Sequence, residues 1–379
     1  MNSTADVVIV GGGVIGSSIA WNLRRDGFAG SVVVIERDPS YQFASSALAM
    51  GGVREQYMSA VNVAMAQYSI RLYEQTPEVD FRQRGYLFLG NDQNWPRLQR
   101  RFEVEKSLGV SVELLGVNDV RKLVPELRCD DLVGAVFGRR DGYVDNRKVL
   151  RFLRTSAEDT GATYIADEVQ RIDIARGAVK AVHAGKNGRI ETDRLVIASG
   201  AYSGALGEIA GVPIPVTPVR QQIFRCELPR KWTYEFPMTI DPGGVHWRSY
   251  GENEITIMKT KSDEPPGIRF GGDIDRFYSD FMPDLIRRLP EFRDLKLVFG
   301  WGGLYEMTPD QNGIIDHHPE VSGLYFACGF SGHGLMTSPA TGKLMSELIR
   351  LGRFETVDAS PLSYSRFEKN RLFFDEAMI

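Results

Sequence analysis
The chain has 379 residues, 43% of them hydrophobic and 25% charged, enough to bury a sizeable core in two domains or one large one. A net charge of −4, with no basic run or basic-aromatic stripe, gives no footprint for nucleic acid. Cys129, Cys226 and Cys328 lie far apart with no C-x-x-C pair, and the adjacent His317 and His318 diverge on regular structure, so free thiols and no metal centre are expected.

Residues 1–5 are a short polar lead with no signal pattern, and no uncharged run approaches the length that spans a bilayer; a soluble cytoplasmic protein is expected. A buried strand at 6–10 then runs into Gly11-Gly12-Gly13-Val14-Ile15-Gly16, and a second strand, 31–35, ends at Glu36. This is G-x-G-x-x-G between strand and helix, with an acid twenty residues after the last glycine. Gly11 allows the tight turn, Gly13 lets a pyrophosphate reach the backbone, and Gly16 lets the helix pack on the strand. The positive helix end at Val14 and Ile15 faces the phosphates, and Glu36 accepts from a ribose diol. The site is that of an adenine dinucleotide, with NAD and FAD both open at this point.

The helix over 14–26 sets Ile15, Ile19 and Leu23 on one face and stops at Gly27. An NAD-type domain would continue as regular βα alternation, but here a small-residue loop, Ala44-Ser45-Ser46-Ala47, leads to Met50-Gly51-Gly52-Val53-Arg54. Helices are predicted over 58–75, 94–108 and 147–160, and a strand pair over 81–90. The strand at 161–165 returns to the first sheet, 169–192 form a small meander, and 194–200 is another buried strand. Residues 213–300 are rich in strands and prolines, as expected of an antiparallel, substrate-facing sheet. Near the end, a strand at 324–328 enters Gly329-Phe330-Ser331-Gly332-His333-Gly334, and Ser338-Pro339 reads as the cap and first turn of a helix reaching Leu351. Two glycine turns at opposite ends suit a flavin, because reduction puts negative charge at the ring's N1–C2=O edge, where a second helix N-terminus is useful. An ordinary packing turn suits residues 329–339 as well, and on the residues alone both readings stay open.

On Gly51-Gly52-Val53-Arg54-Glu55-Gln56-Tyr57, Arg84-Gly85-Tyr86-Leu87, the segment Trp301 to Asp310, and Gly329 to Gly334 followed by Ser338-Pro339-Ala340-Thr341-Gly342, nearly the whole chain resembles the D-amino-acid-oxidase-like family of FAD enzymes. That family includes monomeric sarcosine oxidase, the β subunits of heteromeric sarcosine oxidase and proline dehydrogenase, and glycine oxidase. The resemblance implies an α/β fold: a glutathione-reductase-type FAD-binding Rossmann domain (1–80, 141–212 and 301–379) with an inserted antiparallel-sheet substrate domain (81–140 and 213–300). It implies oxidation of the C–N bond of a small amino acid or N-alkyl amino acid, by O2 or through an electron-accepting partner, with oligomeric state left open. An FAD subunit of a heteromeric amine dehydrogenase and an NAD(P)-dependent reductase are the competing readings.

For the cofactor, the resemblance assigns Glu36 to the AMP ribose beside Arg37, and Ser45 and Ser46 to the pyrophosphate and ribityl region. Val169 goes to the adenine and Ser199-Gly200 to the pocket's closure. Gly51, Gly52, Gly303, Gly329, Ser331, Gly332, His333, Gly334 and Leu335 go to the flavin side. For the substrate, Arg54 is the carboxylate clamp, with Tyr57 and Tyr305 beside it and His333 near the ring as a structural group. Lys259 or Lys261 is the candidate for reaction with oxygen. The sequence departs from the sarcosine template at Met336, which replaces a clamp lysine, and at Gly303, which replaces the flavin-linking cysteine, so FAD is expected without a covalent bond. Arg248 is a candidate second clamp.

Overall fold
The computed structural model describes residues 3–260 and 263–377, so Lys261 lies outside the described residues. At its centre is a six-stranded sheet in the order Ile314–His317, Leu324–Cys328, Leu195–Ile197, Val7–Val10, Val32–Glu36, Thr163–Ala166. All neighbours are parallel except the outermost pair, Ile314–His317 with Leu324–Cys328. A parallel sheet is covered on both faces, which is why its strands read as unbroken apolar runs. The pleat divides Val7–Val10 between two cores: Val7 and Ile9 pack with the helices, Val8 and Val10 with a small sheet. The helix layer is Val14–Arg25 lying against Gly334–Leu351 and Asn146–Asp159. The small sheet is Ser3–Thr4, Gly188–Glu191, Ala178–Ala184 and Val169–Ala175, the last three forming the expected meander.

A second, eight-stranded sheet runs Lys296–Met307, Thr217–Glu227, Glu254–Lys259, Val245–Tyr250, Met238–Ile240, Tyr86–Asn91, Leu132–Gly138, Val112–Gly116. It is antiparallel except where Met238–Ile240 meets Tyr86–Asn91. Two expectations are corrected. Residues 81–90 hold one strand, not two: Arg82 makes a lone bridge to Tyr143, and the ladder begins at Tyr86. The stretch 213–300 is rich in strands as expected, and it also holds a helical segment, 274–288, in three consecutive pieces. Its apolar residues Phe277, Phe281 and Leu285 recur every fourth position, a helical period, and all three bury against Phe224 and its neighbours.

The second correction concerns the last helix, which starts at Gly334, so Ser338 and Pro339 lie inside it. Proline at that place removes the N–H that would bond the Leu335 carbonyl. Two hydroxyls replace it: Tyr73 Oη donates to Leu335 O at 2.7 Å and Ser338 Oγ at 3.0 Å. Among the described residues, no helix is long and apolar enough to cross a membrane.

Candidate functional site
A cavity of about 1030 Å3 opens at the carboxyl ends of Val7–Val10, Val32–Glu36 and Leu195–Ile197 and extends beneath the eight-stranded sheet. Ligands of open parallel sheets bind at this edge, where helix N-termini converge. Gly11 has φ +102°, and a Cβ there would fall 2.4 Å from Ala198 O. A Cβ on Gly16 would fall 1.9 Å from Gly11 O, so Gly16 serves helix–strand packing and stands behind the cavity wall. Gly13 differs: its nearest neighbour would be Ser46 Oγ at 3.4 Å, so the space beside it is left for a ligand. Helix Val14–Arg25 has no side-chain cap, and Val14 and Ile15 line the cavity with their turn of N–H groups.

Glu36 is held by its own loop. Its two oxygens accept from Gly12 N and Asp38 N, each at 2.8 Å, and burial raises its proton affinity despite those bonds. Arg37 stacks 3.6 Å from the Tyr202 ring centroid, near Glu168. Ser45, Ser46, Val169, Ser199 and Gly200 line the same half of the cavity.

The other half is walled by Gly51, Gly52, Gly303, Gly332, Gly334 and Leu335, with Arg54, Tyr305 and His333 among them. Gly332, at φ +95°, lies so close to Tyr305 that a Cβ would meet its ring at 2.4 Å. Arg54 is fully buried. Its guanidinium donates through Nη1 to Gln56 O, and through Nη2 to Ala377 O at 2.9 Å and His333 Nε2 at 3.4 Å. These partners are two carbonyls and an imidazole, all uncharged, and Nε has none. Arg101 beside it is, by contrast, paired with Glu105 at 2.6 Å. A buried cation without a carboxylate is costly, so Arg54 marks a place where an anion is favoured. His333 is kept neutral, its pKa pushed down to about 3 by burial and by the Arg54 charge, which fits a supporting role better than that of a general base.

Five other expected site residues stand elsewhere. Tyr57 is behind the wall: its ring lies 4.3 Å from the Arg54 guanidinium carbon and its hydroxyl donates to Met336 Sδ at 2.9 Å. Gly329 and Ser331 shape the turn from outside, the first donating to Glu306 Oε2 at 2.7 Å, the second accepting from Thr308 N at 3.1 Å. Lys259 points away from the cavity, its ammonium 2.8 Å from Asp280 and 2.6 Å from Asp284. Strand alternation explains this: Met258 and Thr260 line the cavity, so Lys259 between them faces the helices. Arg248 is buried too, donating to Met50 O at 2.6 Å and Ser249 O at 2.8 Å, and it holds backbone rather than lining the cavity.

Two titratable groups in the wall carry no obvious sequence signal. Burial pushes the Glu306 carboxyl up to about 7, and no cation offsets it; an acid between Tyr305 and Met307 in an apolar run was the available hint. Burial pushes His246 down to about 4; it shares a strand face with Arg248, two residues on.

The glycine cradle, the uncapped helix, the acid fixed at the end of the second strand and the large cavity fit an FAD, and together they define an FAD-binding oxidoreductase of glutathione-reductase type. Comparison with known proteins gives the same class. Residues 6–348 match the family described as FAD dependent oxidoreductase, and the chain belongs to that family. It is 31% identical to the bovine (Bos taurus) FAD-dependent oxidoreductase domain-containing protein 1, over 96% of this chain and 85% of that protein. Monomeric sarcosine oxidase of Arthrobacter sp. (strain TE1826) is 27% identical, over 95% of this chain and 96% of the oxidase. The crystal structure of L-proline dehydrogenase from P. horikoshii superposes with a TM-score of 0.92 at 26% identity, covering 98% of this chain and all of that one.

Proposed function
We propose that this chain oxidises the C–N bond of a small amino acid or N-alkyl amino acid, sarcosine- or proline-like, to an imine that hydrolyses. The observation that carries the reading is Arg54, a buried guanidinium in the cavity wall whose partners are all uncharged. The guanidinium N–H groups that Gln56, Ala377 and His333 do not take, Nε–H among them, are left to make charge-assisted bonds to a carboxylate, which would hold the Cα–N bond toward the flavin side of the cavity. FAD, when bound, accepts the hydride from the carbon. Tyr305, packed on Gly332, bounds the substrate space, and His333 supports Arg54 as a neutral acceptor. In this reading residues 1–80, 141–212 and 301–379 bind the cofactor and 81–140 and 213–300 the substrate. Gly303 supports non-covalent attachment.

The oxidant is O2 or an electron-accepting partner; Lys259, held by Asp280 and Asp284, is not the group that would serve O2. The test is anaerobic addition of N-methyl, cyclic and D-amino acids to the yellow protein, followed by air. Bleaching by one class supports the reading, and slow recovery in air supports a partner. A flavin that no amino acid bleaches sinks it.

A further inference from the structure
Besides His333, Arg54 has a contact from a segment remote from the motif around it. Its Nη2 donates to the carbonyl of Ala377, 323 residues away and 1% exposed. That carbonyl is aimed by Asp375. Asp375 Oδ1 accepts from Ala377 N at 3.0 Å, closing a short turn that directs the next carbonyl, and from Met58 N at 3.1 Å. Its Oδ2 accepts from Ser59 N at 3.0 Å, Ser59 Oγ at 2.6 Å and Asn62 Nδ2 at 3.2 Å. Helix Ala60–Glu74 begins there, and its N-cap Ser59 makes no side-chain cap bond, so Asp375 supplies the acid that the helix start favours. From outside, Arg97 donates to Glu376 O at 2.6 Å and Arg100 pairs with the Glu376 carboxylate. Upstream, Phe373 is fixed at both ends, N to Asp310 Oδ2 at 3.0 Å and O to Asn312 Nδ2 at 2.6 Å.

The segment 373–377 is thus stitched to the backbone that follows Arg54 and to the Arg54 guanidinium itself. An arginine side chain is long and rotamer-rich, and ordering it on binding costs affinity unless it is ordered beforehand. We propose that Asp375–Ala377 is the positioning element of the Arg54 clamp, holding the guanidinium ready for a substrate carboxylate, a role that rests on Arg54 being that carboxylate's site. Asp375 acts through Ala377 and Arg54 and does not itself line the cavity.

The test uses FAD-loaded protein titrated with pyrrole-2-carboxylate and with the neutral pyrrole-2-carboxamide, binding being read from the flavin's visible spectrum. Asp375→Asn is expected to weaken the carboxylate about tenfold, the scale of one impaired hydrogen bond to a charged group, while the carboxamide stays within about twofold. The surface variant Arg97→Ala/Arg100→Ala leaves the core intact and is expected to move the carboxylate alone, by about threefold, so it decides the matter should Asp375→Asn fold poorly. Carboxylate binding unchanged in both strap variants, with Arg54→Ala weakened, overturns the positioning role and leaves the Arg54 reading standing. Equal loss of both ligands in the strap variants also overturns it, since a merely structural segment would do that. Arg54→Ala binding the carboxylate as tightly as wild type overturns the Arg54 reading and the positioning role together.

Discussion
Tyr73 donates its hydroxyl to the carbonyl of Leu335 at 2.7 Å, and that carbonyl is the one Pro339 leaves without its helical partner. A proline inside the helix behind the flavin side of the cavity is therefore tolerated because a residue of helix Ala60–Glu74 reaches across to it. Tyr73→Phe should cost about 1 kcal/mol, as Ser338 Oγ still reaches the carbonyl at 3.0 Å. Tyr73→Phe with Ser338→Ala should cost more than the sum of the singles, by about 1 kcal/mol, because only the pair strands a buried acceptor. Urea unfolding of the four proteins measures the coupling, and strict additivity would show that the hydroxyls do not share the carbonyl.

The three glycines of the first turn should separate by role. A Cβ at Gly16 collides with backbone at 1.9 Å, whereas one at Gly13 meets only Ser46 Oγ at 3.4 Å. Gly16→Ala is expected to lose folded protein. Gly13→Ala is expected to keep a native circular dichroism spectrum and to bind FAD at least about tenfold more weakly, a loss of about 1.4 kcal/mol. Full flavin occupancy in Gly13→Ala would remove this turn from the pyrophosphate site.

Arg54 should be worth more to binding than to folding. Arg54→Ala is expected to raise the KM of a carboxylated substrate by the equivalent of about 2–5 kcal/mol, the range for truncating a buried charge partner. Arg54→Met, which keeps the stem and removes a buried charge whose hydrogen-bond partners are uncharged, should leave thermal stability equal or higher while losing carboxylate recognition. A thermal melt set beside steady-state kinetics separates the two effects, and an unchanged KM would take Arg54 out of the site.

Glu306 gives FAD-free protein a stability that falls as pH rises. Its folded pKa, about 7, is above the ordinary 4.5, so between these values the folded state holds a proton that the unfolded chain has released. Stability is highest below about pH 4.5 as far as this group is concerned, declines through the window, and levels off above 7 after a loss on the order of 3 kcal/mol at most. Asp141, pushed up to about 8 by burial, acts with the same sign. Glu306→Gln should therefore gain on wild type as pH is raised from about 5 to about 8, which urea midpoints at each pH will show. A constant difference across that range would mean that Glu306 is ionised throughout.

The first glycine turn, Glu36 and the far glycine turn were legible in the sequence because each is a local, contiguous device. A strand, a turn and a helix start need no distant partner to be recognised, and the structure has open space beside Gly13 and Glu36 bonded to the same turn. The family motifs likewise brought Arg54, Tyr305 and His333 to one wall. What the sequence could not decide are relations that arise only when distant segments meet. Lys259 turns away by strand parity, which a one-residue difference in register would reverse. Pro339 stays inside its helix because Tyr73 serves the orphaned carbonyl. Glu306 is held near neutrality by burial without a counter-charge, and Arg54 is oriented by the Ala377 carbonyl. Spacing along the chain determined the cofactor site; desolvation and long-range hydrogen bonds, which exist only in the folded protein, decided the charge and aim of the groups facing it.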